Sequence, residues 1–306
     1  GGCLFVGEMM AVREMLIWAT TTLSAQGIEE SSLDAEVLLA HILGITRAQL
    51  HAHPQSQLSS GALANYRQLI ERRARHEPVA YIVGHKEFYG LDFFVDNRVL
   101  IPRPETELLV EKAIEVSQQQ SVIADVGTGS GAIAVSLAVH LPQALIYATD
   151  ASSAALDVAA RNCRRHGVED RVHLLQGHLL EPLPEPVDLI VANLPYVSQA
   201  EWPQLPPEIS RYEPREALHG GRDGLDHIRR LLAQAGGYLK GAGEQGSKGA
   251  GRPGVILLEI GATQGAAVGN LARHYFAAAR VEIMQDYAGL DRVVMVSNGA
   301  GEVDWL

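Results

Sequence analysis

Cysteine is almost absent from this sequence: Cys3 and Cys163 are the two among 306 residues. Two thiols build no disulfide framework, and neither stands in a spacing that ligates zinc, so no metal is expected. Cationic residues also fall short, 25 Lys and Arg against 36 Asp and Glu, for a formal net charge of −11. General nucleic-acid binding needs a surplus of Lys and Arg to neutralise phosphates, and the balance argues against it, although a local basic patch survives such an average. Long uncharged apolar runs are missing too. The most apolar stretch, Val122 to Val139, contains Asp125 and three glycines and is no membrane span. Nor does a basic segment followed by an apolar run open the chain, where Glu8, Arg13 and Glu14 interrupt. No signal peptide is expected, and the reading is a cytoplasmic protein. Met9 or Met10 reads as the natural start, with the preceding residues a frayed extension.

What is present suits a globular enzyme. Hydrophobic residues make up 47% of the chain, which excludes wholesale disorder and fibrous repeats. The length suggests about two domains, at ~100–200 residues each. Residues 9–84 read as helices. Val12, Leu16, Ile17 and Leu23 are spaced for one helical face, and Ser31 with Asp34 resembles a capping box ahead of Leu38, Leu39, Ile42 and Leu43. Gly44 stops that helix, and another carries Tyr66, Leu69 and Ile70. The basic run Arg72, Arg73, Arg75 at its end reads as a solvated terminus favoured by the helix dipole, or as a contact for an acidic or RNA-bearing partner.

From Tyr81 to Leu100 the composition turns aromatic and β-branched, with turn chemistry at Gly90 and Asp96-Asn97. A β-hairpin linker over residues 85–101 follows. Apolar strands are then predicted at 122–126, 145–149, 172–176, 187–192, 254–260, 279–285 and 291–297. Helices are expected between the first five, notably 131–140, 152–166 and 225–239. Such alternation implies an α/β fold with a parallel sheet covered on both faces. The last two strands, separated only by Tyr287 to Leu290, must pair antiparallel, which makes seven strands over residues 102–306. The Gly-rich segment 240–254 reads as a mobile surface loop.

Chemistry concentrates at two turns. Asp125-Val-Gly-Thr-Gly-Ser-Gly131 follows one strand and opens a helix, and Asp150 ends the next strand. Glycines let a ligand approach the backbone, amides at the helix start favour an anionic group, and Asp150 can accept from two ribose hydroxyls. Gly127, Gly129 and Ala132 also satisfy the dinucleotide fingerprint, so S-adenosylmethionine and NAD fit these residues about equally, and a ligand-free Gly-rich turn stays open.

The tetrapeptide Asn193-Leu194-Pro195-Tyr196 narrows the choice. It follows a strand at the carboxyl edge of the sheet, where open α/β sheets bind ligands. A planar amide or amine nitrogen is a poor nucleophile because its lone pair is delocalised. Acceptors for both its N–H groups, here the Asn193 side-chain oxygen and the Leu194 carbonyl, support the positive charge that develops during methyl transfer. Tyr196 can stack on the amide plane and hold it in line with the methyl. Pro195 restricts Leu194 to extended conformations.

The chain resembles the HemK/PrmC family, the peptide chain release factor N5-glutamine methyltransferases, nearly end to end. The carrying segments are Ser32-Leu-Asp-Ala-Glu-Val-Leu-Leu39, Glu77-Pro-Val-Ala-Tyr-Ile82, Leu100-Ile-Pro-Arg-Pro-Glu-Thr-Glu107, the glycine loop, the tetrapeptide, Glu213-Pro-Arg-Glu-Ala-Leu218 and Asp286-Tyr-Ala-Gly-Leu-Asp-Arg292. The resemblance implies a class I, Rossmann-like methyltransferase fold behind a helical substrate-docking domain. It also implies methyl transfer from S-adenosyl-L-methionine to the glutamine side chain of a Gly-Gly-Gln motif in a release factor. By the same resemblance Gly127, Thr128, Gly129, Ser130, Gly131, Asp150, Leu179 and Asn193 are donor contacts, and Asn193 to Tyr196 clamp the glutamine. The helical domain with Arg103 and Glu105 is the candidate for positioning the partner protein. Two positions depart from the family pattern: Leu194 stands where proline is usual, and His178 where an acidic residue is usual near the adenine. Ribosomal-protein glutamine and DNA adenine-N6 are the rival acceptors for this chemistry. A non-catalytic binding module and an NAD oxidoreductase are the rivals outside it.

Overall fold

The computed structural model describes residues 10–118, 120–240 and 254–297. The proposed frayed N-terminus and nearly all of the Gly-rich 240–254 segment lie outside the described residues. The chain divides into two compact units. One holds the chain up to Gly84 together with Pro206–Tyr212, and the other holds His85–Leu205 and the chain from Glu213 onward.

The first unit is helical: α1 Val12–Ser24, α2 Ser31–Leu43, α3 Arg47–Ala52, α4 Ser60–Ala74 and α5 Val79–Val83. Val12, Met15, Ala19 and Leu23 form the buried stripe of α1. Ile17 is 57% exposed, contrary to the expected face. At about 100° per residue it lies far round the helix from that stripe. The C-terminal end of α2 is Gly44 in the left-handed region, φ 64°, as its sequence position suggests.

The proposed capping box at Ser31 does not form. Glu30 occupies the cap position without a side-chain bond, and Ser31 and Asp34 are buried inside the helix. Asp34 instead accepts from Arg73 Nε at 2.6 Å, and Arg73 Nη2 donates to Glu208 Oε1 at 3.0 Å. Arg73 is only 7% exposed and Arg72 pairs with Glu77, so of the basic run Arg75 alone stands as an exposed helix end. The physical reason is that α4 turns its last basic residues toward carboxylates of its own unit, where desolvation demands partners. Burial raises the Asp34 carboxyl above its ordinary value despite the guanidinium.

The second unit opens with a hairpin, β1 His85–Phe88 and β2 Leu91–Phe94. Tyr89 and Gly90, both at positive φ, make the two-residue turn that matches the twist of the strands. Buried Asn162 accepts from Phe94 N and donates to the carbonyls of Phe94 and Ser130, joining the hairpin to the glycine loop. After α6 Glu107–Val116 come β3 Val122–Val126, α7 Ala132–His140, β4 Leu145–Asp150, α8 Ser153–His166 and β5 Val172–Gln176. The rest comprises β6 Leu189–Ala192, α9 Pro207–Tyr212 (in the helical unit), α10 Asp226–Ala235, β7 Val255–Glu259, α11 Gly265–Tyr275, β8 Arg280–Gln285 and β9 Asp291–Ser297.

The seven strands lie in the order β5-β4-β3-β6-β7-β9-β8, the first five parallel and the last two antiparallel to their neighbours. This is the α/β sheet expected from the sequence. Two details differ. Residues 177–188 contain turns rather than a helix, and α11, not expected, joins β7 to β8. Because β8 and β7 both run antiparallel to β9, they are parallel to each other. Their connection must therefore cross β9, which requires a helix. Strand order reverses between β3 and β6, which creates the switch point at their carboxyl ends.

Arg73→Met strands the buried Asp34 without its partner. It is expected to destabilise the helical unit by about 3 kcal/mol in denaturant unfolding, and the double change Asp34→Leu/Arg73→Met should regain much of that loss.

Candidate functional site

In register β3 places Val126 beside Ala192 of β6, so Gly127 and Asn193 leave the sheet together. Gly127 has φ 75°, and a Cβ added to it would lie 3.2 Å from Leu194 Cδ2. Gly131 has φ 80°, and its Cβ would press on the Ala159 backbone and side chain. Glycine is required at both positions, by the left-handed backbone and by close approach. The loop is further pinned by Gly127 N and Thr128 N, which both donate to Thr149 O at 2.9 Å.

A cavity of about 430 Å³ opens over this edge. Gly127, Gly129, Asp150, Leu179, Asn193 and Leu194 are on its wall. Thr128, Ser130 and Gly131 are not. Thr128 and Ser130 turn their side chains into the protein, where Thr128 Oγ1 donates to Asp125 Oδ2 at 2.6 Å. Asp150 Oδ2 accepts from Gly129 N and Oδ1 from Ser152 N, both at 2.9 Å. Each oxygen keeps a lone pair for a further donor. Leu179 adopts φ 53°, uncommon for a branched side chain, and its carbonyl accepts from Thr149 Oγ1 at 2.8 Å. His178 also lines the cavity, and so does His227, whose imidazole burial holds below its ordinary value.

The tetrapeptide is held from three sides. Asn193 Nδ2 donates to Thr106 Oγ1 at 3.1 Å, Gln264 Nε2 donates to Tyr196 O at 3.0 Å, and Tyr196 Oη lies 3.5 Å from Glu259 Oε1. Leu194 is 4% exposed, with Cδ2 3.2 Å from where a Gly127 Cβ would lie, and it lines the cavity with Asn193 and Pro195, whereas Tyr196 does not. No donor from a described residue reaches the Asn193 Oδ1 or the Leu194 carbonyl. Arg103, read from the sequence as partner-facing, pairs instead with Glu213, which is buried and also accepts from Ile101 N. Glu105 beside it is exposed.

Three supporting residues escaped the sequence reading. Thr106 lies inside the Pro-Arg-Pro-Glu-Thr-Glu segment, but nothing in the segment says that its hydroxyl faces Asn193. Glu259 is an acid at the end of an otherwise apolar strand, an anomaly visible in the sequence. Asp125 is the third. Burial pushes its carboxyl up to about 7 against hydrogen bonds from Thr128 and Ala134, and Glu259 is likewise raised to about 7 by burial.

Comparison with known proteins places this geometry. The family model described as PrmC N-terminal domain matches residues 14–84, and that of the methyltransferase small domain matches residues 104–205. A release factor glutamine methyltransferase from Moorella thermoacetica is 47% identical over 92% of this chain and 97% of its own. The chain belongs to this family. A Geobacter sulfurreducens member is 40% identical over 94% of this chain and 96% of its own. A solved methyltransferase from Pyrococcus furiosus, 17% identical, shares the fold with a TM-score of 0.51 over 75% of this chain and 98% of its own. Family membership makes the glycine loop that of a methyltransferase rather than of an NAD oxidoreductase.

The raised Asp125 carboxyl has a direct consequence for stability. Its favourable protonated form is fully available below the unfolded-state value near 4 and is lost as pH rises through about 7. Asp125→Asn keeps an acceptor for Thr128 without that titration. Its melting temperature relative to the parent protein is therefore expected to rise between about pH 5 and pH 8, and a constant difference would contradict the assignment.

Proposed function

We propose that this chain transfers the methyl group of S-adenosylmethionine to the side-chain nitrogen N5 of the glutamine in the Gly-Gly-Gln motif of peptide chain release factors. The observation that supports the reading is that Asn193 and Leu194 both line the glycine-loop cavity, and that no described residue donates to the Asn193 Oδ1 or the Leu194 carbonyl. One primary amide has two N–H groups to satisfy such a pair.

The residues on the cavity wall fit the donor. Gly127 and Gly129 leave room for its chain, Asp150 retains lone pairs for two ribose hydroxyls, and Leu179 offers an apolar face for the adenine. The donor supplies an electrophilic methyl on a positively charged sulfur. Asn193 and Leu194 accept the two amide N–H groups and support the positive charge that grows on nitrogen as it is methylated. Tyr196 stacks on the amide plane, its hydroxyl beside Glu259 and its main-chain carbonyl held by Gln264. The nitrogen gains one methyl and releases one proton to water, so no base is needed before transfer. Leu194 in place of the family's usual proline keeps the acceptor, because a backbone carbonyl makes the bond.

The helical unit and exposed Glu105 are proposed to position the partner protein, whereas Arg103 shapes the segment through Glu213. A translation-factor substrate implies a cytoplasmic setting. Among the described residues no helix is long and apolar enough to cross a membrane.

Assayed with intact release factor and labelled donor, Asn193→Ala is expected to lower turnover by about 100-fold or more, a far larger loss than that of donor affinity measured by calorimetry. Undiminished methylation by this variant would remove the clamp from the mechanism.

A further inference from the structure

The tetrapeptide carries part of its chemistry on main-chain atoms, so its backbone must hold still. Pro195 fixes its own φ and keeps Leu194 extended. Tyr196 has no such lock, and its hydroxyl is a long 3.5 Å from Glu259 Oε1.

We infer that Gln264 is a positioning residue for methyl transfer, its side-chain amide fixing the Tyr196 main chain so that the Leu194 carbonyl and the Tyr196 ring keep their places. The inference rests on the glutamine reading for what those groups contact. Gln264 Nε2 donates to Tyr196 O at 3.0 Å, and Gln264 Oε1 accepts from Gly261 N at 2.9 Å. A main-chain N–H only donates and a main-chain carbonyl only accepts, so these two partners leave the carboxamide a single orientation. Among the described residues no other donor reaches the Tyr196 carbonyl. Gln264 also stands at the cap position of α11, yet its side chain makes no capping bond there and turns back to the tetrapeptide.

Glycines make room for this contact. Gly224 has φ 79°, and a Cβ on it would lie 2.3 Å from Tyr196 O and 2.6 Å from Gln264 Nε2. A Cβ on Gly220 would lie 2.5 Å from Pro195 O. Just past the tetrapeptide, Val197 N donates to Leu218 O at 2.9 Å and Gly220 N donates to Val197 O at 2.8 Å. The end of the tetrapeptide is therefore held by residues 218–220 beyond it and by Gln264 at its last carbonyl. Gln264 is not on the cavity wall, so it acts on the substrate through the tetrapeptide and not by contact.

The test is steady-state kinetics on intact release factor for the parent protein, Gln264→Met and Gln264→Glu, each below its melting temperature. Gln264→Met keeps the length and loses both hydrogen bonds. It should lower kcat by about tenfold with donor affinity by calorimetry unchanged. Gln264→Glu is the sharper probe. When ionised, its carboxylate turns lone pairs on the Tyr196 carbonyl. When protonated, it again offers one O–H to that carbonyl and one acceptor to Gly261 N. Its kcat relative to the parent should be lowest near about pH 8 and climb toward about pH 5.5, as a half-buried carboxyl takes up its proton. The ratio for Gln264→Met should stay flat. A parent-like kcat in Gln264→Met, or a Gln264→Glu ratio that does not climb, would overturn the inference. Should Gln264→Met not fold, the Gln264→Glu ratio decides alone. Failure here with Asn193→Ala still inactive would leave the glutamine reading standing. A fully active Asn193→Ala would remove both.

Discussion

Parallel pairing of β3 with β6 at the point where strand order reverses is the constraint on which the site depends. Neither strand carries a catalytic side chain in its own ladder. Their shared register sends the glycine loop and the tetrapeptide out of the sheet side by side, so one cavity touches both. Slipping one strand by a residue would turn its side chains to the opposite face and separate the Asn193 oxygen from the glycine loop. The buried apolar strands that hold this register, with Ile123, Ala124, Ile190 and Val191 all fully covered, act on function by fixing where two loops begin.

Around that edge the protein tolerates charge where burial disfavours it. Asp125 and Glu259 are both sealed from solvent, each with one oxygen unpartnered, and both titrate near neutrality. Their placement is consistent: Asp125 accepts from Thr128 in the glycine loop, and Glu259 lies 3.5 Å from the Tyr196 hydroxyl of the tetrapeptide. Each acid supports one of the two loops rather than a ligand. A hydrogen bond to a carboxylate is stronger than one to a neutral acceptor, which suits a loop that must stay rigid while its outer face binds and releases.

Much of this was legible in the chain before any coordinates. Apolar runs located all seven strands, most plainly the central parallel ones β3, β6 and β7, which are buried on both faces. The glycine loop, Asp150 and Asn193 were equally visible, since their backbone and chemistry restrict which residues fit. Several of the misreadings share one cause. Asp34, Arg73, Thr106 and Arg103 act through partners far along the chain, and local spacing says nothing about Glu208 or Glu213. Ser31 and Asp34 have the spacing of a cap, yet a long-range ion pair claims the carboxylate. The helix α11 was missed because its small residues, Gly265 to Gly269, carry little helical signal, although the order of the last three strands demands a crossover there.

These threads meet in the chemical identity of the acceptor. The central claim is that the two open oxygens beside the glycine loop select the primary amide of one glutamine. Fragment-level mass spectrometry of a release factor incubated with this protein and S-adenosylmethionine tests that most directly. The expected result is a single methyl group on the side-chain nitrogen of the glutamine in Gly-Gly-Gln. A methyl group on any other residue, or an unmodified factor despite bound donor, would contradict the account.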